Sequence, residues 1–442
     1  MKFSFKPLPA GIVAPRGFHA AGVYCDIKRL GTGKGSEKGA KRDLALIVSA
    51  EPTAAAGLFT TNQVCAAPVK LCVEHLREAH ARAIVVNSGN ANACTGRQGM
   101  KDARVMAEAA ARVLKIPATQ VFVASTGRIG VPLPMANVRR GIAAAARELS
   151  ADATGAGNAA EAILTSDTRP KEIAVEFRLG AHPVRIGGMC KGAGMIQPGM
   201  SPTGARPASA PLHATMLGFI TTDASIEKPA LQAALTESVA ASFNRITVDG
   251  DMSTNDTVIA MANGLAGNPR ITRGRRADFL KFQSALQHVT LELAKMIVRD
   301  GEGATRFVTV RVAGARTRTE ADMAARSVAN SVLVKTSWFG GDPNWGRILD
   351  ALGYSAAKID ERRVDVAYSA PGGRERLYSL RRGQPAKTPF RSLCEQVARP
   401  EFDLHIHLNT GRGSAVIYAA DLTEAYVEFN KGNINDPASL GG

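Results

Sequence analysis

The sequence predicts an α/β fold, and three observations lead to this class. Short apolar runs that suit buried strands, such as residues 83–86 and 121–124, alternate with longer amphipathic segments that suit helices, such as residues 100–114. Glycine occurs 43 times and alanine recurs in the helical segments, whereas aromatic residues make up only 5% of the chain. Small side chains let helices and sheets pack closely, and 442 residues are enough for a substantial core.

The predicted strands are apolar runs bounded by small or turn-forming residues. In chain order they cover residues 43–49, 83–86, 121–124, 173–177, 184–188, 216–220, 307–312, 364–368, 402–408 and 414–419. The predicted helices place apolar residues and alanines at spacings of three and four. They cover residues 100–114, 135–149, 159–164, 228–243, 279–299 and 320–334. Residues 32–41 are rich in Gly and Lys and are predicted to form an exposed loop.

Composition argues against several classes of protein. The net charge is +16, but the basic residues are scattered and accompany no nucleic-acid-binding signature, so no nucleic-acid partner is predicted. The six cysteines show no C-x-x-C spacing, which indicates reduced thiols rather than a disulfide framework or a zinc site. Because the N-terminus lacks the apolar core of a signal peptide and no apolar run approaches about 18 residues, a soluble cytoplasmic protein without a membrane segment is predicted.

The functional interpretation depends on residues 190–224. They read C-K-G-A-G-M-I-Q-P-G-M, then a segment rich in Pro, Ala and Ser, then A-T-M-L-G-F-I-T-T-D-A. Ala214 and Thr215 stand directly before the apolar run 216–220, an arrangement that a self-cleaving precursor needs. The Thr215 hydroxyl would attack the preceding carbonyl, and cleavage would give a residue with its own nucleophile and its own basic α-amine. The alternative is that Thr215 is simply a β-branched strand residue. Cys190, beside this stretch, is predicted to be a buried structural thiol.

The pattern K-G-A-G-M-I-x-P-x-M followed by A-T-M-L-x-F-I-T-T-D-A closely resembles the processing site of the ornithine acetyltransferase family, also called the bifunctional glutamate N-acetyltransferase / amino-acid acetyltransferase family. Other matches are F-T-T-N-x-V-x-A-A-P-V, N-S-G-N-A-N-A and D-P-N-W-G-R, and the resemblance runs from about residue 11 to residue 435. It implies that Thr215 is the nucleophile and that the Ala214–Thr215 bond is cleaved autocatalytically. This chain departs from the family by inserting residues 201–213, a proline-containing loop, before the cleaved bond.

The segment Ser125-Thr126-Gly127-Arg128 follows a predicted strand and precedes the predicted helix 135–149. A strand, a glycine-containing turn and a helix can leave backbone N–H groups free to stabilise an oxyanion, although most such segments are ordinary connectors. The resemblance implies that Thr126 and Gly127 form the oxyanion hole, with the Thr hydroxyl and the Gly amide as donors. The loop 87–93, N-S-G-N-A-N-A, is predicted to be a complex turn.

The resemblance also implies a set of substrate-binding residues: Thr165, Lys191, Thr215, Glu302, Asn430 and Asn435. A lysine beside an acyl-transfer site can pair with an amino-acid carboxylate, and Glu302 would bind the substrate's amino group. At position 435 the family usually has a hydroxyl residue and this chain has an amide. Trp345 is predicted to be a packing anchor.

The acids Asp249, Asp251 and Asp256 lie close together in the sequence but lack the spacing of a calcium loop. The resemblance implies no metal and no cofactor. A metal site is therefore not predicted.

The resemblance implies an α/β, layered α-β-β-α-like sandwich similar to N-terminal-nucleophile hydrolases, with a smaller C-terminal portion. It implies an α subunit of residues 1–214 and a β subunit of residues 215–442, which form one intertwined catalytic unit and an α2β2 heterotetramer. The implied activity is that of an arginine-biosynthesis acyltransferase, which moves an acetyl group from N-acetylornithine to glutamate. Whether acetyl-CoA is a second donor stays open.

Two other hypotheses keep the fold and change the function. One is an aminopeptidase or amidohydrolase with water as the acceptor, which would release acetate without glutamate. The other is an unprocessed, non-enzymatic homologue that binds amino acids or a protein partner, which would run as a single full-length band on a gel.

Overall fold

Residues from both sides of the Ala214–Thr215 bond contribute strands to one ten-stranded sheet. The structure is a computed structural model that describes residues 4–28, 41–205 and 216–431. Ala214, Thr215, Asn435, nearly all of the predicted loop 32–41 and most of the insertion 201–213 lie outside the described residues. The chain divides into a larger unit (Met1–Asn244, Asp251–Ile297, Gly432–Gly442) and a smaller unit (Arg245–Gly250, Val298–Lys431).

The strands of the described residues, in chain order, are β1 Lys6–Leu8, β2 Phe18–Val23, β3 Leu44–Thr60, β4 Ala81–Asn90, β5 Val121–Arg128, β6 Lys171–Leu179, β7 His182–Lys191, β8 Met200–Ser201, β9 Leu217–Thr222, β10 Ile246–Thr247, β11 Thr257–Ala262, β12 Phe307–Ala315, β13 Asp365–Ser369, β14 Leu377–Arg381, β15 Gln384–Pro385, β16 Glu401–His407 and β17 Gly413–Ala420.

The α-helices of the described residues are α1 Ala67–His75, α2 Gly96–Leu114, α3 Met135–Arg147, α4 Ala153–Ala162, α5 Lys228–Ala240, α6 Arg276–Arg299, α7 Arg318–Asn330, α8 Val332–Phe339, α9 Trp345–Gly353, α10 Phe390–Val397 and α11 Glu424–Phe429. In this part of the chain, no helix combines the length and the apolar character that crossing a membrane requires.

The long strand β3 organises the larger unit because its two halves pair with different neighbours. Its first half pairs with β2 and β4, and its second half pairs with β8 and β11. The strand order is β1-β6-β7-β9-β11-β3-β4-β5, with β2 and β8 also attached to β3. Strand β9 is paired on both edges, antiparallel to β7 and parallel to β11.

The part of this sheet that contains β4 and β5 faces the part that contains β9 and β11 across a single hydrophobic core. That core includes Ile84, Val123, Phe219 and Ile259. Helices α1 and α2 pack against β5, and α5 packs against β3 and β11. On the other face of β7, the buried thiol of Cys190 lies 3.5 Å from the carbonyl oxygen of Leu293 in α6. The layered α-β-β-α arrangement and the buried position of Cys190 confirm the predictions for both.

The smaller unit contains a seven-stranded sheet in the order β10-β17-β12-β16-β13-β14-β15. Its core includes Trp338, which is buried and packs edge-on against Phe402 with ring centroids 6.4 Å apart. Trp345, which was predicted to be a packing anchor, lies at the start of α9 and is partly buried against the same core. The predicted helix 320–334 is two helices, because Ser331 leaves the helical conformation and caps α8 with its side chain.

The sequence did not predict strand β2. Its residues are buried on nearly every position, since β3 pairs with it and α4 packs on its face, so no polar and apolar alternation marks it. The contact with α4 is a close backbone approach. A Cβ atom on Gly22 would lie 1.9 Å from the carbonyl oxygen of Asn158.

Gly22→Ala should therefore destabilise the larger unit by about 1–3 kcal/mol or more, because a backbone atom of a packed helix cannot move aside easily. The measurement is the thermal unfolding midpoint. Gly157→Ala is the matched control, since a Cβ atom there meets nothing within 4 Å and alanine favours the helix. Equal midpoints for the two variants would contradict the close approach of β2 and α4.

Candidate active site

The predicted oxyanion segment is part of a strand, which corrects the prediction of a turn. Strand β5 continues through Ser125-Thr126-Gly127 to Arg128, and helix α3 begins only at Met135. Strand β4 likewise continues through Asn87 to Asn90, where a complex turn was predicted. The two polar ends pair in parallel and are tied by side chains, because the Ser125 hydroxyl donates to Asn87 Oδ1 at 2.6 Å.

Gly127 occupies a position where a residue with a side chain would be strained. Its φ of 126° lies in the region that glycine tolerates, and a Cβ atom there would lie 2.4 Å from the carbonyl carbon of Gly89. The two backbones therefore meet directly at the site. The β4–β5 register also becomes irregular here, since Asn90 pairs with both Thr126 and Arg128.

Asn255 ties a third segment to this strand, and the sequence did not single it out. Its side-chain amide donates to the carbonyl oxygen of Ser125 at 2.8 Å and to that of Ala91 at 2.7 Å. The side-chain carbonyl oxygen of Asn255, Oδ1, accepts from the Thr254 hydroxyl at 2.5 Å. The residues before β11 are thus fixed against the backbone of the predicted oxyanion segment.

Lys191 brings three of the predicted site residues together. It is the last residue of β7, and only 2% of its surface is exposed. Its ammonium donates to Thr165 Oγ1 at 2.7 Å and to Thr126 Oγ1 at 3.3 Å. Thr126, Thr165 and Lys191 therefore form one hydrogen-bonded group.

The carboxylate of Asp167 supports this group, although sequence reasoning gave it no role. Its side chain is buried and accepts from Lys171 Nζ at 2.6 Å and from the Gly192 amide at 2.6 Å. It also accepts from the Thr165 amide at 3.1 Å and lies 3.7 Å from Lys191 Nζ. Burial opposes ionisation of Asp167, but the charges of Lys191 and Lys171 and these hydrogen bonds outweigh it and hold the pKa well below its usual range.

Asp256 is a second buried carboxyl group. Unlike Asp167, it forms no ion pair with a described residue and accepts one backbone hydrogen bond. Its Oδ1 accepts from the Met216 amide at 2.5 Å, and its buried Oδ2 has no hydrogen-bond partner among the described residues. Burial raises the pKa of Asp256 well above its usual value, and the Met216 hydrogen bond and the charge of Lys191 only partly oppose this.

The described chain resumes at Met216, one residue after Thr215. In strand β9, Leu217 stands opposite Lys191 of β7 on one edge and opposite Thr257 of β11 on the other. Lys191 and Asp256 thus flank the beginning of the strand that follows the predicted nucleophile.

In the smaller unit, two predicted substrate residues contact each other. The side-chain amide of Asn430 donates to Glu302 Oε2 at 2.9 Å and to the carbonyl oxygen of Tyr426 at 3.0 Å. Glu302 is half-buried between Gly301 and Gly303, and Asn430 follows helix α11. The acid Asp249 accepts a hydrogen bond from the Tyr426 hydroxyl. Among the described residues, no three His, Cys, Asp or Glu side chains come close enough together to bind a metal ion.

Comparison with known proteins assigns the class. A relative from Symbiobacterium thermophilum, named arginine biosynthesis bifunctional protein ArgJ, is 48% identical over 96% of this chain and 98% of its own. A relative from Methanocaldococcus jannaschii, named glutamate N-acetyltransferase, is 42% identical over 96% of this chain and 98% of its own. A solved ornithine acetyltransferase from Mycobacterium tuberculosis, complexed with ornithine, is 40% identical, with a TM-score of 0.41 over 45% of this chain and 100% of that one.

The protein is an acyltransferase. The ArgJ family matches residues 19–432, and the chain belongs to that family. The family resemblance inferred from the motifs is therefore confirmed.

Asp167 should make the larger unit sensitive to acid. Because the folded pKa lies below the unfolded value of about 3.9, the carboxylate's contribution to stability is complete above that value and is lost as pH falls through the folded pKa. Asp167→Asn should cost about 3 kcal/mol or more at neutral pH, since it leaves buried lysines uncompensated. It should also flatten the fall of the melting temperature in acid.

Melting temperatures measured from neutral pH down to about pH 2 check this prediction. Glu176→Gln is the control, because its ion pair with Arg185 is partly exposed and is expected to contribute less than about 1 kcal/mol. A variant at Asp167 that melts like the wild-type protein at every pH would show that the buried pair contributes nothing.

Proposed function

We propose that this protein transfers the acetyl group of N2-acetyl-L-ornithine to L-glutamate in the cyclic pathway of arginine biosynthesis, through an acetyl ester on Thr215. The observation that carries the proposal is the hydrogen-bonded group of Thr126, Thr165 and Lys191, which lies beside the strand that follows Thr215. Relatives with 48% and 42% identity bear names from the same chemistry, arginine biosynthesis bifunctional protein ArgJ and glutamate N-acetyltransferase.

The first event is self-cleavage. The Thr215 hydroxyl adds to the Ala214 carbonyl, the amide becomes an ester, and water then releases an α subunit of residues 1–214. The β subunit of residues 215–442 begins with Thr215. The two subunits would stay together, which the sharing of one sheet by strands from both sides of the bond supports, and two such pairs would assemble into an α2β2 heterotetramer.

In the mature enzyme the Thr215 α-amine takes the proton of its own hydroxyl, and the oxygen attacks the acetyl carbonyl. The oxyanion would accept hydrogen bonds from the Thr126 hydroxyl and the Gly127 amide. Lys191 donates to Thr126 Oγ1, which leaves the hydroxyl's own hydrogen available for the oxyanion. Ornithine leaves with the proton, and glutamate then attacks the acetyl ester to give N-acetylglutamate.

Charge around Lys191 favours an amino-acid substrate. The Lys191 ammonium is a buried cation that donates to Thr126 and Thr165 and lies beside the strand that follows Thr215. The carboxylate of the substrate would pair with it. Glu302 would bind the substrate's amino group, and Asn430, which donates to Glu302, and Asn435 would also bind the substrate.

The transfer needs no cofactor, since each proton and acyl group has a partner on the protein or the substrate. Acetyl-CoA as a second donor for N-acetylglutamate synthesis belongs to the same proposal, because the acetyl-Thr215 ester would form from either donor. We place the enzyme in the cytoplasm, which supports reduced thiols: none of its six cysteines forms a disulfide in the part of the chain that the structure describes.

Thr215→Ala should abolish both cleavage and transfer, because it removes the nucleophilic hydroxyl that both reactions use. Intact mass should show one full-length chain for this variant and two subunits for the wild-type protein. Incubation with N-acetylornithine alone should add one acetyl group to the first residue of the wild-type β subunit. Thr215→Ser, which keeps the hydroxyl, is the control and should retain both reactions at reduced rates. Transfer by an uncleaved variant would refute the α-amine as base.

Thr126→Val should lower kcat by about 100- to 1,000-fold, because one oxyanion donor is lost at nearly constant shape. The variant removes the hydroxyl that contacts Lys191, so KM is also expected to rise. Steady-state kinetics on the cleaved enzyme measure both parameters. Thr126→Ser is the control, since it keeps the hydroxyl. A valine variant with the kcat of the serine variant would remove Thr126 from the oxyanion hole.

A further inference from the structure

The smaller unit carries a pocket on one face of its sheet that acetyl transfer does not use. Helices α7–α10 pack against the opposite face, where Val310 and Leu404 belong to the hydrophobic core. Because successive side chains of a strand point to opposite faces, Arg311 and His405 point away from these helices. The pocket on their side has a volume of about 380 Å³, which is within the range typical of small-molecule sites.

The pocket exists because one small residue interrupts a row of longer ones. Arg311 of β12 stands opposite His405 of β16, and His405 stands opposite Ala367 of β13. Ala367 in turn stands opposite Tyr378 of β14, so the row crosses four neighbouring strands. All of these residues line the pocket. Since the Ala367 side chain is a single methyl group, it leaves a depression between the rings of His405 and Tyr378.

Basic side chains that line the pocket carry hydrogen-bond donors without an acceptor among the described residues. Arg311 uses its Nε for an ion pair with Asp403 at 2.8 Å, and its two terminal nitrogens have no partner in that part of the chain. Arg376 is exposed and forms no hydrogen bond or ion pair with any residue that the structure describes. His407 accepts from the Asn409 amide at Nδ1, at 3.2 Å, so its neutral ring carries its hydrogen on Nε2.

The charges of both arginines act on the same histidine. His405 Nε2 lies 2.9 Å from the Ser369 hydroxyl oxygen. Burial is the largest influence that lowers the pKa of His405 to about 4; Arg376 and Arg311 also lower it, and Asp403 opposes them. The ring is therefore neutral near neutral pH, and the positive charge beside it belongs to the two guanidinium groups.

The carboxylates near the pocket are already occupied. Asp403 is buried, and besides its ion pair with Arg311 it accepts from the Gly372 amide at 3.0 Å. Asp365 lines the pocket and accepts from the Arg382 amide at 2.7 Å and from the side-chain amide of Asn409 at 3.1 Å. Both carboxylates thus have two donors each, whereas both guanidinium groups of the pocket keep donors for a ligand.

We propose that this pocket binds a small organic anion through a carboxylate or phosphate group, with donors from Arg376, from the terminal nitrogens of Arg311 and from His407 Nε2. The planar fork of a guanidinium matches two oxygens of either group. The inference goes beyond acetyl transfer and does not depend on it, because none of these residues belongs to the groups proposed for that reaction. It assigns the smaller unit a ligand site of its own.

Arg376→Gln tests the inference, because it removes an exposed charge and leaves no described partner without compensation. Arg311 is less suitable, since its loss would leave the buried Asp403 without its cation. Binding of inorganic phosphate and of succinate to the purified protein is measured by isothermal titration calorimetry at constant ionic strength. We expect the wild-type protein to bind at least one probe saturably, and Arg376→Gln to bind it about ten-fold more weakly or worse.

Arg391→Gln is the matched control. It makes the same change of charge in the same unit, at a side chain that is 91% exposed and pairs with Glu395. This control is expected to bind the probe like the wild-type protein. Equal weakening in both glutamine variants would indicate general attraction to a basic surface and would overturn the inference.

Ala367→Val is the second test, because it fills the depression without changing any charge. The added methyl groups should weaken binding of the same probe by about ten-fold or more, and valine suits a strand. Thermal unfolding shows whether the variant is folded; if it is not, Arg376→Gln decides alone. Binding of neither probe by the wild-type protein, or unchanged binding in either folded variant, would overturn the inference.

The two probes also identify the group that the pocket recognises. Binding of phosphate alone supports a ligand with a phosphate group, and binding of succinate alone supports a carboxylate. Binding of both supports recognition of the negative charge and the oxygens that the two groups share.

Discussion

The carboxylate of Asp167 is the interaction on which the site depends. It is buried, and it binds two lysine ammonium groups and the backbone amides of Thr165 and Gly192. These contacts join the segment after α4 to the end of β7, and so hold Thr165 against Lys191. Without this anion, Lys171 and Lys191 would be two buried cations without compensation, which proteins rarely tolerate.

The surroundings of two buried carboxyl groups, Asp167 and Asp256, shift their pKa values in opposite directions. Asp167 has two cations and two backbone donors, which favour its ionised form more than burial disfavours it. Asp256 has one backbone donor and a more distant cation, Lys191. Burial is therefore the largest influence on its pKa and raises it. The surroundings, rather than the residue type, therefore determine whether a buried carboxyl group favours its charged form.

The candidate site residues lie on or directly beside the paired strands of the larger unit. Strand β9 is paired on both edges: its neighbour β7 ends at Lys191, and Asp256 directly precedes its other neighbour, β11. Strands β4 and β5 carry their parallel pairing into the polar segments at Asn87 and Thr126, where two glycine backbones touch. Functional groups held by ladder hydrogen bonds lose little conformational entropy during a reaction, and this rigidity suits a preorganised oxyanion site.

The sequence by itself determined the α/β class, the layered order of the larger unit and the family, because apolar runs, helical spacing and the motifs around Thr126, Lys191 and Thr215 are local features of the chain. It misplaced the ends of β4 and β5, since small polar residues there are typical of turns and only the partner strand keeps them extended. It also missed Asp167, Asn255 and Asp256 as parts of the site. Their roles come from contacts with residues such as Ser125, which lies 130 positions from Asn255, and Met216, which lies 40 positions from Asp256. Only the tertiary structure decides which buried carboxyl meets a cation and which meets a lone backbone amide, because that choice depends on packing between strands that are distant in the chain.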